Sequence, residues 1–300
     1  MRSLSMHRRI DLRWVATFAL VACAPLWAQT PELARVQATH QSLREARNEE
    51  DRLALHRQLQ ALWVEALKAG HVWDVDWSLW NEAVVDVGTG GERLVVFTWN
   101  VELESQEQVY GGWVAAAAPS SPLGYDFAML VHAEDGPGVD EHRMFRHDQW
   151  HGALYYDGIL TYDQETPVYT LLAWDGADRS ITRKWVETVE WRRGRARFGT
   201  PVFEVPTGLS KRVLLTYRNA VQATLRIEGD AQRIVMDHLE PESPDLRGQF
   251  AFYGPTLSYD ALVWKRGRWE FQPDVDVVNP ASGSPKEYRD PARRGRRRAQ

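Results

Sequence analysis

From Val72 onward the chain is cut into short apolar–polar runs separated by Gly, Pro, Asn and Asp. That pattern confines it to a mainly β architecture. Runs at Ala83–Val87, Arg93–Val101, Val109–Ala115, Phe127–His132, Ala153–Thr161 and Val168–Trp174 read as strands. Others follow at Arg197–Val205, Arg212–Tyr217, Ala223–Ile227, Arg233–Asp237, Gln249–Tyr253, Ala261–Trp264 and Trp269–Gln272. Turn-forming clusters such as Gly88-Thr89-Gly90-Gly91 and Lys265-Arg266-Gly267 punctuate them. The expected body is antiparallel, a sandwich or a propeller-like array, and the lack of a clean internal repeat counts against the propeller. Two alternatives stay open over Ile181–Trp191: Ser180 could cap a short helix, whereas Trp185, Val189 and Trp191 suit a strand. Trp73, Val75 and Trp77 alternate with Asp74 and Asp76 at period two, and Gly254-Pro255 predicts a turn between two strands.

Before the strands the period is helical. Thr30-Pro31-Glu32 is a helix start, with Thr as cap, Pro at the first helical position and Glu near the positive end of the dipole. Leu33, Val36, His40 and Leu43 recur along one face. After Asn48 a second helix carries Leu55, Leu59, Leu62, Trp63 and Leu67 and stops at Gly70. The division expected is a signal peptide over 1–28, a helical hairpin over 29–70, an all-β domain over 71–280 and a disordered basic tail over 281–300.

Export is the first functional inference. Arg8, Arg9 and Arg13 precede an uncharged run from Trp14 to Ala28, which is the layout of a secretory signal peptide. No other apolar stretch approaches membrane-spanning length, so no transmembrane anchor is expected. Leu20-Val21-Ala22-Cys23 fits a lipobox, which would place a lipid anchor on Cys23. The apolar continuation through Trp27 favours cleavage after Ala28 and a soluble periplasmic or extracellular product. Cys23 is the only cysteine, so no intramolecular disulfide can form. The formal net charge of −5 is partly masked by the arginines of the two termini, and the body between them is more acidic still. An acidic body is a poor match for phosphate backbones, so no nucleic-acid partner is expected.

Several segments carry a motif string: Trp150–Tyr156 (WHGALYY), Tyr169–Gly176 (YTLLAWDG), Phe198–Phe203 (FGTPVF), Val235–Pro241 (VMDHLEP) and Leu246–Leu262 (LRGQFAFYGPTLSYDAL). With Phe97–Asn100 (FTWN) and Asp274–Asn279 (DVDVVN), they resemble an uncharacterised family of secreted bacterial β-rich proteins. The resemblance runs from about Trp73 to Asn279 and departs at Ala173 and Thr256, where that family usually has Gly and Asp. It implies export and a single β-rich domain, and brings no assigned activity.

Four constellations could carry chemistry. His142, His147, Asp148 and His151 are close enough in sequence for a metal loop, but the HExxH pattern is absent and a solvated polar loop is the simpler account. Asp274, Asp276 and Asn279 gather oxygen ligands without meeting the EF-hand pattern, so no metal or other cofactor is expected. Asp237-His238 ends an apolar strand beside a Pro-shaped turn, and with Asp260 it is the best acid–base candidate. No Gly-x-Ser-x-Gly elbow supplies a nucleophile. Finally, Trp150, His151, Asp175, Asp237, His238, Tyr253, Tyr259 and Asp260 combine flat rings with carboxylates, as a glycan or peptide groove requires. Core filling by the same aromatics is the competing account. The chain reads as an exported cell-envelope protein with a non-catalytic binding or structural β domain. The alternative is a hydrolase of an extracellular polymer, glycan or peptide.

Overall fold

The computed structural model describes residues 30–133, 138–229 and 233–277. The signal segment with Cys23, Asn279 and the basic tail lie outside these residues.

Helices α1 (Pro31–Glu45) and α2 (Glu49–Ala69) form the N-terminal hairpin. Each begins on a polar cap: the Leu33 amide donates to Thr30 Oγ1 (3.4 Å) and the Asp51 amide to Asn48 Oδ1 (2.8 Å). Gly70 ends α2 in the left-handed region (φ 91°), which costs a residue without Cβ nothing.

Strands β1 (Ala83–Val87), β2 (Leu94–Glu102), β3 (Gln108–Ala117) and β4 (Tyr125–Val131) then form an antiparallel meander in sequence order. The second sheet holds β5 (Phe145–Arg146), β6 (Leu154–Asp163), β7 (Thr166–Asp175), β8 (Ile181–Arg192) and β9 (Arg195–Phe198), in the order β5-β9-β8-β7-β6. The chain crosses to a third sheet through β10 (Phe203–Val205) and β11 (Gly208–Ser210). It returns once, as β12 (Arg212–Arg218), to pair with the part of β8 that β9 leaves free. The third sheet is completed by β13 (Leu225–Ile227), β14 (Arg233–Pro241), β15 (Tyr253–Lys265) and β16 (Arg268–Gln272), in the order β11-β10-β16-β15-β14-β13. The protein is therefore mainly β, with a two-helix preface and three open sheets, none closed into a barrel.

Two apolar clusters hold these parts together. One lies between the hairpin and one face of the first sheet: Trp63 sits 4.5 Å from Phe97 and 5.1 Å from Trp113, centroid to centroid. Phe97 and Trp113 are cross-strand partners and stack at 5.6 Å with a 7° interplanar angle. The other face of the first sheet joins the second and third sheets in a single larger core that includes Trp150, Tyr155, Trp185 and Trp269.

Four local expectations are corrected. The Trp73–Trp77 alternation is not a strand but two 3-10 turns, Val72–Asp74 and Trp77–Leu79, because these indoles lie on neighbouring rings: Trp73 on Tyr125 (5.0 Å), Trp77 on Trp113 (5.7 Å). The Arg197–Val205 run splits into β9 and β10 at Gly199, whose φ of 92° breaks an extended ladder. Gln249–Tyr253 is a 3-10 turn over Phe250–Phe252 before β15 begins. Gly254 and Pro255 do not turn the chain; they sit in β15 opposite Glu240 and Leu239, and the distortion comes just after them. The open segment Ile181–Trp191 is extended throughout, as β8.

Candidate functional site

The residues singled out in the sequence fall into separate hydrogen-bonded settings. Trp150 and His151 are enclosed in the large core, as are Tyr155 and Tyr156. Trp150 Nε1 donates to Tyr155 Oη (3.2 Å), and Tyr155 Oη donates to Glu187 Oε1 (2.7 Å). That same carboxylate oxygen accepts from Trp185 Nε1 (2.8 Å) and lies 3.0 Å from His151 Nε2. Glu187 Oε2 accepts from Arg212 Nε (3.1 Å) and Nη2 (2.8 Å), and Arg212 is the cross-strand partner of Glu187. Burial alone would push the Glu187 carboxyl up, but His151 and Arg212 beside it hold it well below the usual carboxylate range. A carboxylate that is fully enclosed and has both oxygens engaged has no lone pair to offer a substrate, so this cluster is an architectural anchor. Sequence reasoning passed over Glu187, Trp185 and Arg212. The available signal was period two: Trp185, Glu187 and Val189 share one strand face, which puts a carboxylate among core positions.

Asp175 lies beside this cluster. It accepts from Tyr110 Oη (2.7 Å), the Ala177 amide (2.8 Å) and Arg183 Nη1 (3.2 Å). The Tyr110 amide in turn donates to His132 Nδ1 (3.2 Å), and His132 bridges to Trp150.

His238 and Asp260 meet on the third sheet. Two steps along β14, from Asp237 to Leu239, oppose four along β15, from Tyr259 back to Pro255, so Thr256, Leu257 and Ser258 bulge out opposite His238. His238 Nδ1 lies 2.7 Å from Asp260 Oδ2, while Asp260 Oδ1 accepts the Asp274 amide (3.2 Å). Glu240 stands 3.7 Å from His238 Nε2, and the imidazole is 40% exposed. The hydrogen bond and charge of Asp260, with Glu240 behind them, raise the His238 pKa against the opposing effect of burial. Asp237 does not join this pair: its Oδ2 accepts the Thr224 amide (2.5 Å). Tyr253 Oη accepts the Gly248 amide (2.9 Å), and Tyr259 stands opposite Asp237 in the ladder.

The histidine-rich loop is dispersed. His147 Nδ1 lies 3.2 Å from the Met129 carbonyl, Asp148 pairs with Arg146 and His151 faces Glu187. Among the described residues no three His, Cys, Asp or Glu side chains are grouped to hold a metal ion. No helix among them is long and apolar enough to cross a membrane.

A cavity of about 310 Å³ opens where the α1–α2 joint meets β1 and β2. Its polar wall is made by Arg44, Arg52, Glu82, Asn100 and Glu102, with the Trp99 indole beside them. Glu82 is nearly enclosed and pairs with Arg44, and it stands 3.7 Å from His40 Nδ1. His40 Nε2 accepts the Trp63 indole N–H (3.2 Å), and His56 Nδ1 accepts that of Trp99 (3.0 Å). Both imidazoles are therefore neutral. Burial, aided by the Arg44 charge, lowers the His40 pKa to about 3; burial, aided by His132 and Arg57, lowers that of His56 to about 4.

These two histidines give a pH dependence with a definite sign. Their folded pKa values lie below the unfolded value of about 6.5, so the unfolded chain binds protons first as pH falls. The stability they contribute is complete above about pH 6.5 and drains away toward pH 4. His238 acts in the opposite sense, its contribution being lost as pH rises through its raised pKa, but it is partly exposed and so weaker. Thermal melts should fall by roughly 5–10 °C between pH 7 and 4.5, and less in His56→Gln, which keeps an acceptor but cannot titrate. A melting temperature that is flat or rises on acidification contradicts this assignment.

Comparison of the chain with protein-family models, with curated proteins and with solved structures finds no match.

Proposed function

We propose that the chain is an exported cell-envelope protein that binds a small polar ligand, without transforming it, in the cavity between the helical hairpin and the first sheet. The observation that carries this reading is the cavity itself. It is a concave space at the junction of two structural units, with an aromatic edge, apolar walls and several convergent charged and amide groups, which is the usual make-up of a small-molecule site. Trp150 and His151, two of the residues expected to line a groove, are buried in the core, and the binding role is placed at this cavity instead. Export rests on the basic, apolar and small-residue layout of residues 1–28, and the motif resemblance to secreted β-rich proteins supports it.

A second reading, a hydrolase of an extracellular glycan or peptide, is favoured by one observation, the His238–Asp260 contact. A carboxylate at Nδ1 orients the ring and leaves Nε2, on a side chain that is 40% exposed, to take a proton from an attacking water.

One set of titrations separates the two. Calorimetry against free amino acids, short peptides and mono- to trisaccharides should find a solute that binds with one-to-one stoichiometry. Ala46→Trp, which fills the cavity from its rim, should weaken that binding by roughly tenfold or more and leave the melting temperature in place. Turnover of a chromogenic glycoside or peptide that disappears in His238→Asn, with Ala46→Trp unaffected, would replace the first reading with the second.

A further inference from the structure

The geometry points to a second contact surface, one that shares no residue with the cavity: arginine-bearing hairpin turns at one end of the second and third sheets dock the protein on a bilayer rich in anionic phospholipid. Repetition is the first observation. The β8–β9 turn reads Arg192-Arg193-Gly194-Arg195 and the β15–β16 turn Lys265-Arg266-Gly267-Arg268. A like string recurs at 293–296, outside the described residues. Both central residues of each turn have positive φ, 53° and 71° in the first and 50° and 79° in the second, as a type I′ hairpin requires. Asn suits the first of those positions, and an arginine held there gains nothing for the backbone. The ladder also sets Arg192 directly against Arg195 and Lys265 against Arg268, and like charges facing across strands are destabilising. Two hairpins that make the same unfavourable choices indicate a use outside the fold.

The turns share one end of the molecule. β7 and β8 pair as far as Tyr169 and Val189, three residues short of Thr166 and Arg192, so the β6–β7 and β8–β9 turns are neighbours there. The β15–β16 turn meets the β6–β7 turn from the third sheet: a Cβ on Gly267 would collide with the Asp163 carboxylate, and Trp264 Nε1 donates to the Tyr162 carbonyl (3.2 Å). The flanking cations have partners: Arg192 with Glu190 (4.0 Å), Lys265 with Glu270 (2.9 Å) and Arg268 with Glu204 (4.0 Å). Arg193, Arg195, Arg197 and Arg266 make no ion pair with any described residue. Against these four stand Asp163, set against Gly267, and Glu165. This end is therefore net positive on a chain whose formal net charge is −5.

Arginine tips fit phosphate, whose oxygens take the paired N–H donors of a guanidinium. The source of that phosphate is argued from the rings behind the tips. An aromatic residue immediately precedes the basic flank of each arginine turn, Trp191 before Arg192 and Trp264 before Lys265, and Tyr162 holds the same place before Asp163. Tyr162 is 43% exposed, and the two indoles are half-buried. Amphipathic rings at the level of the headgroups, with cations beside them, are the usual equipment of a membrane interface. Hairpin tips gathered at one end can also meet a plane together, which suits a bilayer better than a single flexible polyanion.

The test is flotation of the protein with vesicles of equal parts phosphatidylglycerol and phosphatidylcholine, beside pure phosphatidylcholine vesicles and inorganic polyphosphate. The protein should float with the anionic vesicles in preference to the neutral ones, and less as salt is raised. Arg193→Asn and Arg266→Asn should each weaken that binding by about fivefold, and the double variant by about 25-fold. Their melting temperatures should hold or rise, because Asn suits the turn better than Arg, so unfolding cannot account for the loss. Arg57→Gln, an exposed position on α2, should bind as the unaltered protein does. An equal loss there would reduce the effect to net charge and overturn the inference. Tip variants that bind undiminished would move the contact to the arginines beyond 280 and overturn it too. So would equal binding to neutral vesicles, or no binding to either kind. Retention of polyphosphate by a protein that ignores the vesicles would assign the turns to a soluble polyanion, which also overturns it.

Discussion

Replacing Arg212 with Met is expected to destabilise the protein by about 3–5 kcal/mol, the usual result of stripping one partner from a buried ion pair. Arg212 and Glu187 are cross-strand neighbours, both side chains are completely enclosed, and Arg212 also donates to the carbonyls of Asp140 and Arg143. The methionine would leave Glu187 with His151, Tyr155 and Trp185 on one oxygen and no compensation on the other. The account also predicts a partial rescue. In the double variant Arg212→Met with Glu187→Gln, no buried charge remains while the amide oxygen still accepts from Tyr155 and Trp185, so part of the loss should return. Urea melts of the two variants provide the check, and a double variant weaker than the single by a further large step would mean that Glu187 is held by its other donors alone.

The second large effect is expected from Trp63→Ala, at about 3–5 kcal/mol for truncating a buried indole. Trp63 is the point at which the hairpin grips the first sheet: it touches Phe97, Trp113 and Trp80, and its N–H is the donor that His40 accepts. Removing it opens a void and strands a buried imidazole nitrogen at once. Hydrogen exchange should show α1 and α2 losing protection ahead of the second and third sheets. Uniform loss across all three sheets would mean that the hairpin is integral to the β core and not docked upon it.

How far the fold was legible can be judged strand by strand. The Ala83–Val87 run was bounded correctly because Gly88 follows it directly, and the two helices were bounded by Thr30, Asn48 and Gly70, all of which act as caps. Failures came where a side chain's partner lay far along the chain. Nothing local says that Trp73 and Trp77 will stack on Tyr125, Trp63 and Trp113 in preference to pairing as a strand. Gly254-Pro255 has the chemistry of a turn, yet the ladder with β14 absorbs it, and the irregularity falls at residues 256–258. Of the acid–base candidates grouped in the sequence, His238 and Asp260 meet in the structure because their strands are adjacent in both sequence and space, while Asp237 turns to the Thr224 amide. The cavity was not legible at all: Arg44, Arg52, Glu82 and Glu102 come from two helices and the ends of β1 and β2, and each alone resembles an ordinary surface charge.

The central claim is that this cavity holds a ligand. A crystal structure of the protein soaked with the tightest-binding solute from the titrations addresses it most directly. The account predicts difference density between the α1–α2 joint and β2, in contact with the residues that line the cavity, and the His238–Asp260 pair unoccupied. Density seated instead against His238 Nε2 and Glu240, with the cavity filled only by solvent, would contradict it.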